Sequence, residues 1–153
     1  LHFMKKYVFQ FESVLKIRRH KRSLCRQLLG EILQTDQRLM EQKQNLERSR
    51  KEQFQEIRLR QAKGVVDIDG ATSLRFYAGQ LQAQIQTVTA NRKLVEKQIV
   101  LCKQTLARAE QDVKAMEKLS DKYRDQFHYE QNRKESLQLE ETWPATQQTG
   151  VAR

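Results

Sequence analysis

The chain has 153 residues, a length for one domain, but only 38% of them are hydrophobic and 31% are charged, with five Gly and one Pro. That mixture excludes an ordinary many-layered globule and fits long exposed helices sharing one narrow seam. The formal net charge is +10, and it is unevenly placed: residues 5–63 carry 16 Lys or Arg against seven Asp or Glu, while the remainder balances 13 against 12.

Leu1, His2 and Phe3 precede Met4, which fits a natural start. There is no run of 18 apolar residues and no apolar h-region followed by a cleavage site, so neither a membrane span nor signal-peptide secretion is expected. Tyr7, Phe9 and Phe11 alternate ahead of a basic run. Such aromatics can dip into an anionic lipid surface while the cations meet headgroups. They can equally close the open end of a helical hairpin, and their alternation, which is not a helical stripe, favours closure.

The first helix is expected over about residues 9–63, roughly 80 Å at ~1.5 Å per residue. Its seam is a seven-residue column of Phe11, Arg18, Cys25, Ile32, Leu39, Leu46 and Gln53, with Leu15, Leu29 and Ile57 beside it. Several other seam places are polar. A helix of this kind does not stay folded without a packing partner. Lys16, Arg18, Arg19, Lys21, Arg22 and Arg26 place six positive charges within eleven residues with no acid among them. The run implies either a solvated basic face or a negatively charged partner.

Residues 64–70, Gly-Val-Val-Asp-Ile-Asp-Gly, form the one cluster of helix breakers between the two helical patterns. Gly64 suits a helix C′ position, and Asp67 or Asp69 suits the N-cap of a second helix. A short turn near 64–72 makes the two helices antiparallel neighbours. The second helix is expected over about 70–142. Steps of four and three residues from Leu81 run through Ile85, Val88, Arg92, Val95, Ile99, Cys102, Leu106, Ala109, Val113, Met116, Ser120, Tyr123 and Phe127, and twelve of these fourteen positions are apolar. That is a coiled-coil seam sustained over six heptads.

Pairing the apolar columns about the turn makes partner numbers add to 134: Ile32 with Cys102, Leu39 with Val95, Leu46 with Val88, Phe11 with Tyr123. On that register Cys25 and Cys102 are staggered by about 10 Å along the axis, too far for a disulfide. Neither cysteine has C-x-x-C or C…H spacing, so free thiols in a reducing cytoplasm are expected. Pro144 is expected to stop the helix and residues 144–153 to form a disordered tail. The predicted architecture is therefore all-α: one antiparallel two-helix coiled-coil hairpin over residues 7–143.

A two-helix hairpin has no interior in which catalytic groups converge. The chain carries no P-loop, dinucleotide, nucleophile-elbow or H-E-x-x-H pattern, and His2, His20 and His128 are scattered. No enzyme activity, cofactor or metal is expected. Nucleic acid is a natural partner for a basic chain, yet aromatics do not interleave with the run at 16–26 and no helix-turn-helix or zinc module is present.

The segment Tyr7-Val8-Phe9-Gln10-Phe11-Glu12-Ser13-Val14-Leu15-Lys16-Ile17-Arg18 resembles the opening of FliJ-family flagellar export proteins: an aromatic-x-aromatic pair, a Val-Leu and a basic helix. Tyr77, Leu81 and Ile85 after the turn are similar to the family as well, as is Val113-Lys114-Ala115-Met116-Glu117-Lys118-Leu119 with Lys122 and Tyr123. The resemblance implies a cytoplasmic protein, peripheral to the export apparatus at the inner membrane, built like the central stalk of a rotary ATPase. It implies three partners: the hexameric export ATPase, the cytoplasmic domain of the export gate, and export chaperones that the protein escorts.

In that frame Lys16, Arg18, Arg19, Arg22 and Arg26 are the expected ATPase contacts. Phe54, Ile57, Phe76, Tyr77 and Leu81 are the expected gate contacts, although the aromatics there serve as well to close the hairpin's own tip. The competing readings are a generic coiled-coil scaffold and a basic nucleic-acid-associated coiled coil.

Overall fold

The computed structural model describes residues 5–64 and 68–150, with side chains to residue 142. Two helices, α1 (Glu12–Ala62) and α2 (Ile68–Gly150), pack against each other as an all-α hairpin. Helix α1 starts three residues later than expected. Residues 5–9 are irregular and Gln10–Phe11 form a turn, so the aromatic alternation is an arm that leads into the helix. The Glu12 N–H donates to the Phe9 carbonyl at 3.2 Å. Glu12 itself places a negative charge in the first turn, where the backbone N–H groups favour it.

At the other end, Gly64 takes the C′ role its position suggests. Its φ of +69° is left-handed, a conformation that costs an L-residue roughly 1–2 kcal/mol. The Lys63 N–H donates to the Leu59 carbonyl and the Gly64 N–H to the Gln61 carbonyl, both at 3.2 Å, so exposed carbonyls of the last turn are satisfied. Helix α2 begins at Ile68, which puts Asp69 inside its first turn and not at the cap. Asp67, the other expected cap, lies outside the described residues.

Helix α2 also runs through Pro144 to Gly150, where the sequence reading ended it. A proline in a helix loses the hydrogen bond to the carbonyl four residues back and crowds it, but the bonds on either side can carry the helix on. Of the expected tail, residues 151–153 lie outside the described residues.

All fourteen expected seam positions of α2, Leu81 to Phe127, are buried or half-buried. In α1 the column from Arg18 to Gln53 is half-buried throughout, while Phe11 at its head is exposed. A second α1 column is buried or half-buried every seven residues as Leu15, Arg22, Leu29, Asp36, Lys43, Arg50 and Ile57. Four of those seven side chains are charged, which accounts for the polar places in the first seam.

The chain divides into two compact units, Leu1–Ser23 with Arg108–Arg153, and Leu24–Ala107. In the terminus-proximal unit the core is apolar and closed: Phe9, Leu15, Val113 and Met116 are buried, with Tyr7, Leu119 and Tyr123 packed on them. Val113 is 0% exposed and Ala109 2%. Each fully buried side chain of Val, Leu or Phe size contributes ~1.5–3 kcal/mol. The arm joins this core from outside the helices. The Tyr7 hydroxyl donates to the Ser120 carbonyl at 3.0 Å, its ring lies 5.7 Å from Phe127, and Phe9 lies 6.2 Å from Tyr123. The aromatics close the open end of the hairpin.

In the turn-proximal unit the buried apolar residues are Ala78, Leu81, Ile85 and Val88, and polar pairs share the seam with them. Arg92 grips Asp36 with two donors, Nε to Oδ1 at 3.0 Å and Nη2 to Oδ2 at 3.4 Å. That hydrogen bond raises the Arg92 guanidinium above its ordinary range. Arg50 donates to Gln82. The partner numbers of these two pairs add to 128 and 132, and those of Arg18–Asp112 and Arg19–Glu117 in the other unit to 130 and 136, so three of the four lie below the expected register constant of 134. Cys25 and Cys102 are both free thiols.

Candidate functional site

The basic run on α1 divides by helical position into side chains that serve the hairpin and side chains that face solvent. Arg18 and Arg22 fall on the two seam columns and are half-buried. The Arg18 guanidinium donates to the Asp112 carbonyl at 3.2 Å, which stitches α1 to α2. Arg22 has a buried Nε with no hydrogen-bond partner among the described residues. Arg19 pairs with Glu117 at 3.3 Å across the helices, an exposed ion pair of the kind that contributes ~0–1 kcal/mol. Arg26, in the turn-proximal unit, is also engaged within the chain. Of the five cations expected to meet a partner, Lys16 alone is exposed and makes no ion pair among the described residues.

Other cations in the terminus-proximal unit are more available. Lys114, Lys118 and Lys122 follow one another at i, i+4 and i+8 on α2, and all are exposed, as are Lys5, Lys6 and Lys21. Side chains at this spacing share one helix face. Charge density in the sequence is greatest on α1, whereas these lysines are marked only by their regular spacing. Beside the arm an open cleft of about 540 Å³ runs between Lys5, Lys6 and Val8 on one side and Tyr123, Phe127 and Glu130 on the other. Arg124 lies 5.7 Å over the Tyr7 ring there. The cleft's polar groups are one carboxylate, two ammonium groups, two phenols and the amides of Gln10 and Gln126. Among the described residues no three His, Cys, Asp or Glu side chains gather to hold a metal.

The turn-proximal candidates also separate. Leu81 is 4% exposed and belongs to the core between the helices; Ile57 is half-buried on the α1 seam. Phe54, Phe76 and Tyr77 are exposed, Phe76 by 68%. Phe76 precedes the buried Ala78 by two residues, about 200° around the helix, so it points away from α1. Phe76 is therefore surface, and Phe54 and Tyr77 are about half exposed beside it. Leu59 and Ile68 add exposed apolar surface close to the turn, which the sequence reading did not single out.

No helix among the described residues is long and apolar enough to cross a membrane. In comparisons with known proteins, the family model described as the flagellar FliJ protein matches residues 6–146. No curated protein and no solved structure matches the chain significantly.

Proposed function

Because the chain belongs to the flagellar FliJ family of export-related coiled-coil proteins, we propose that it acts as a stalk-like coupling component of the flagellar export apparatus. Its terminus-proximal unit binds the export ATPase ring, and its turn-proximal aromatics bind the cytoplasmic domain of the export gate. Export chaperones are a further cargo of the same surface chemistry. It works in the cytoplasm at the inner face of the membrane that holds the gate.

The observation that carries this reading is the chemical difference between the two ends of the hairpin. Exposed lysines flank a closed core near the termini, and unpaired aromatics stand out near the turn. Screened charge pairs set encounter and register, whereas exposed aromatics supply the anchors that hold a docked partner. The seam arginines Arg18 and Arg22 act indirectly, by holding α1 on α2.

Titration of the ATPase with the full chain at two salt concentrations tests the proposal. K16E/K114E/K118E is expected to weaken binding and flatten its salt dependence while the helical melting curve stays in place. Unchanged binding by that variant moves the ATPase contact away from these lysines.

A further inference from the structure

We infer that a second stripe on α2, formed by Thr87, Asn91, Leu94, Gln98, Leu101 and Thr105, is a self-association surface on which a second copy of this chain docks antiparallel. The inference does not rest on the proposed function and goes beyond it. The six residues recur at steps of four and three, the same rhythm as the buried seam but rotated off it, and every one is exposed. Leu94 and Leu101 are 59% and 62% exposed at the centre of the stripe. A heptad stripe of this kind on the free side of a paired helix is the pattern that adds a further helix to a coiled coil.

The occupant follows from charge and from order. None of the six side chains is charged, in a chain that is 31% charged and carries +10. An acidic partner or an anionic membrane seeks cations, and this stripe offers none. Two copies of a basic chain, by contrast, repel except where a face is free of charge.

A two-fold contact further requires a surface that reads alike in both directions, because residue i must meet j while j meets i. The stripe meets that requirement: polar, Leu, Gln, Leu, polar, from Asn91 through Gln98 to Thr105. With Gln98 near the axis, Leu94 of each copy lies opposite Leu101 of the other, and Asn91 opposite Thr105. The paired amides offer mutual hydrogen bonds, as polar seam residues do when they fix register.

The contact spans only about 21 Å of helix, short of an obligate interface, so the dimer is weak and dependent on concentration. Lys97, next to Gln98, comes near its own counterpart at the axis, and added salt screens that repulsion. Association should therefore strengthen with salt, the opposite of binding through the lysines of the other unit.

Sedimentation equilibrium of the full chain from about 10 to 500 µM tests this. A monomer–dimer equilibrium that tightens with salt is expected, and L94E/L101E should raise its Kd by at least about tenfold. The melting curve of that variant should match the parent, since both leucines are exposed. With Cys25 and Cys102 replaced by Ser, Gln98→Cys should yield a covalent dimer on mild oxidation. A chain that stays monomeric throughout, association that L94E/L101E leaves intact, or a Gln98→Cys variant that does not cross-link would each overturn the inference. ATPase titration of L94E/L101E, expected to match the parent, keeps the outcome separate from that of the proposed function.

Discussion

The terminus-proximal and turn-proximal units are built from the same two helices, yet they are held by different means. In the first, Phe9, Leu15, Val113 and Met116 form an apolar cluster with Tyr7 packed on it, and Arg18 and Arg22 are half-buried in the same seam. In the second, apolar burial thins beyond Val88 and the seam admits Asp36, Lys43, Arg50 and Arg92. Burial is strong but indifferent to small slips of register. A two-donor grip of Arg92 on Asp36 is weaker in net terms and exacting about which residues meet. The comparison teaches that both parts use burial and polar pairs, the first leaning on burial for stability and the second on the Arg92–Asp36 grip for alignment.

The largest break in this comparison should come from Val113→Asp, which buries an uncompensated carboxylate at the tightest point of the apolar core. It should cost more than about 4 kcal/mol and unfold the terminus-proximal unit, seen by urea denaturation followed by circular dichroism. Phe9→Ala should cost roughly 3 kcal/mol, and Tyr7→Phe, which loses only the bond to Ser120, about 1 kcal/mol. Limited proteolysis should cut the arm sooner in both variants.

For the alignment side, Asp36→Ala should lower the melting temperature. Asp36→Leu with Arg92→Leu should restore or raise it while admitting shifted registers, read from spin-label distances between the helices. Gly64→Ala should cost roughly 1–2 kcal/mol through its left-handed φ. Smallest of all, Phe76→Ala should move stability by no more than about 0.5 kcal/mol, and a loss of gate binding at unchanged stability would sharpen the division between scaffold and contact surface.

Much of this was legible in the residues. The α2 seam could be read position by position, because nearly every place from Leu81 to Phe127 is apolar and the rhythm survives two exceptions. Helix α1 was harder to read because four charges occupy one of its seam columns. Long charged side chains can lay their stems along apolar surface and keep their heads in water, so hydropathy alone does not reveal them as inward-facing.

The same ambiguity affects the basic run on α1. Arg18 stands in the seam column, and its place there already ties it to α2, whereas charge counting grouped it with Lys16. The start of α1 was missed for another reason. Residues 5–11 are shaped by contacts with Ser120, Tyr123 and Phe127, more than 100 positions away in sequence, and no local pattern encodes such a contact. The aromatic neighbours of Leu81 suggest a partner surface, but its own periodicity places it inside, where it is buried.

The arm has one more consequence. A phenol and a benzyl ring tethered by a few residues occupy the flank of α2 at a local concentration in the millimolar range. A ligand that seeks the faces of Tyr123 and Phe127 that the arm covers must therefore outcompete a resident occupant that never diffuses away.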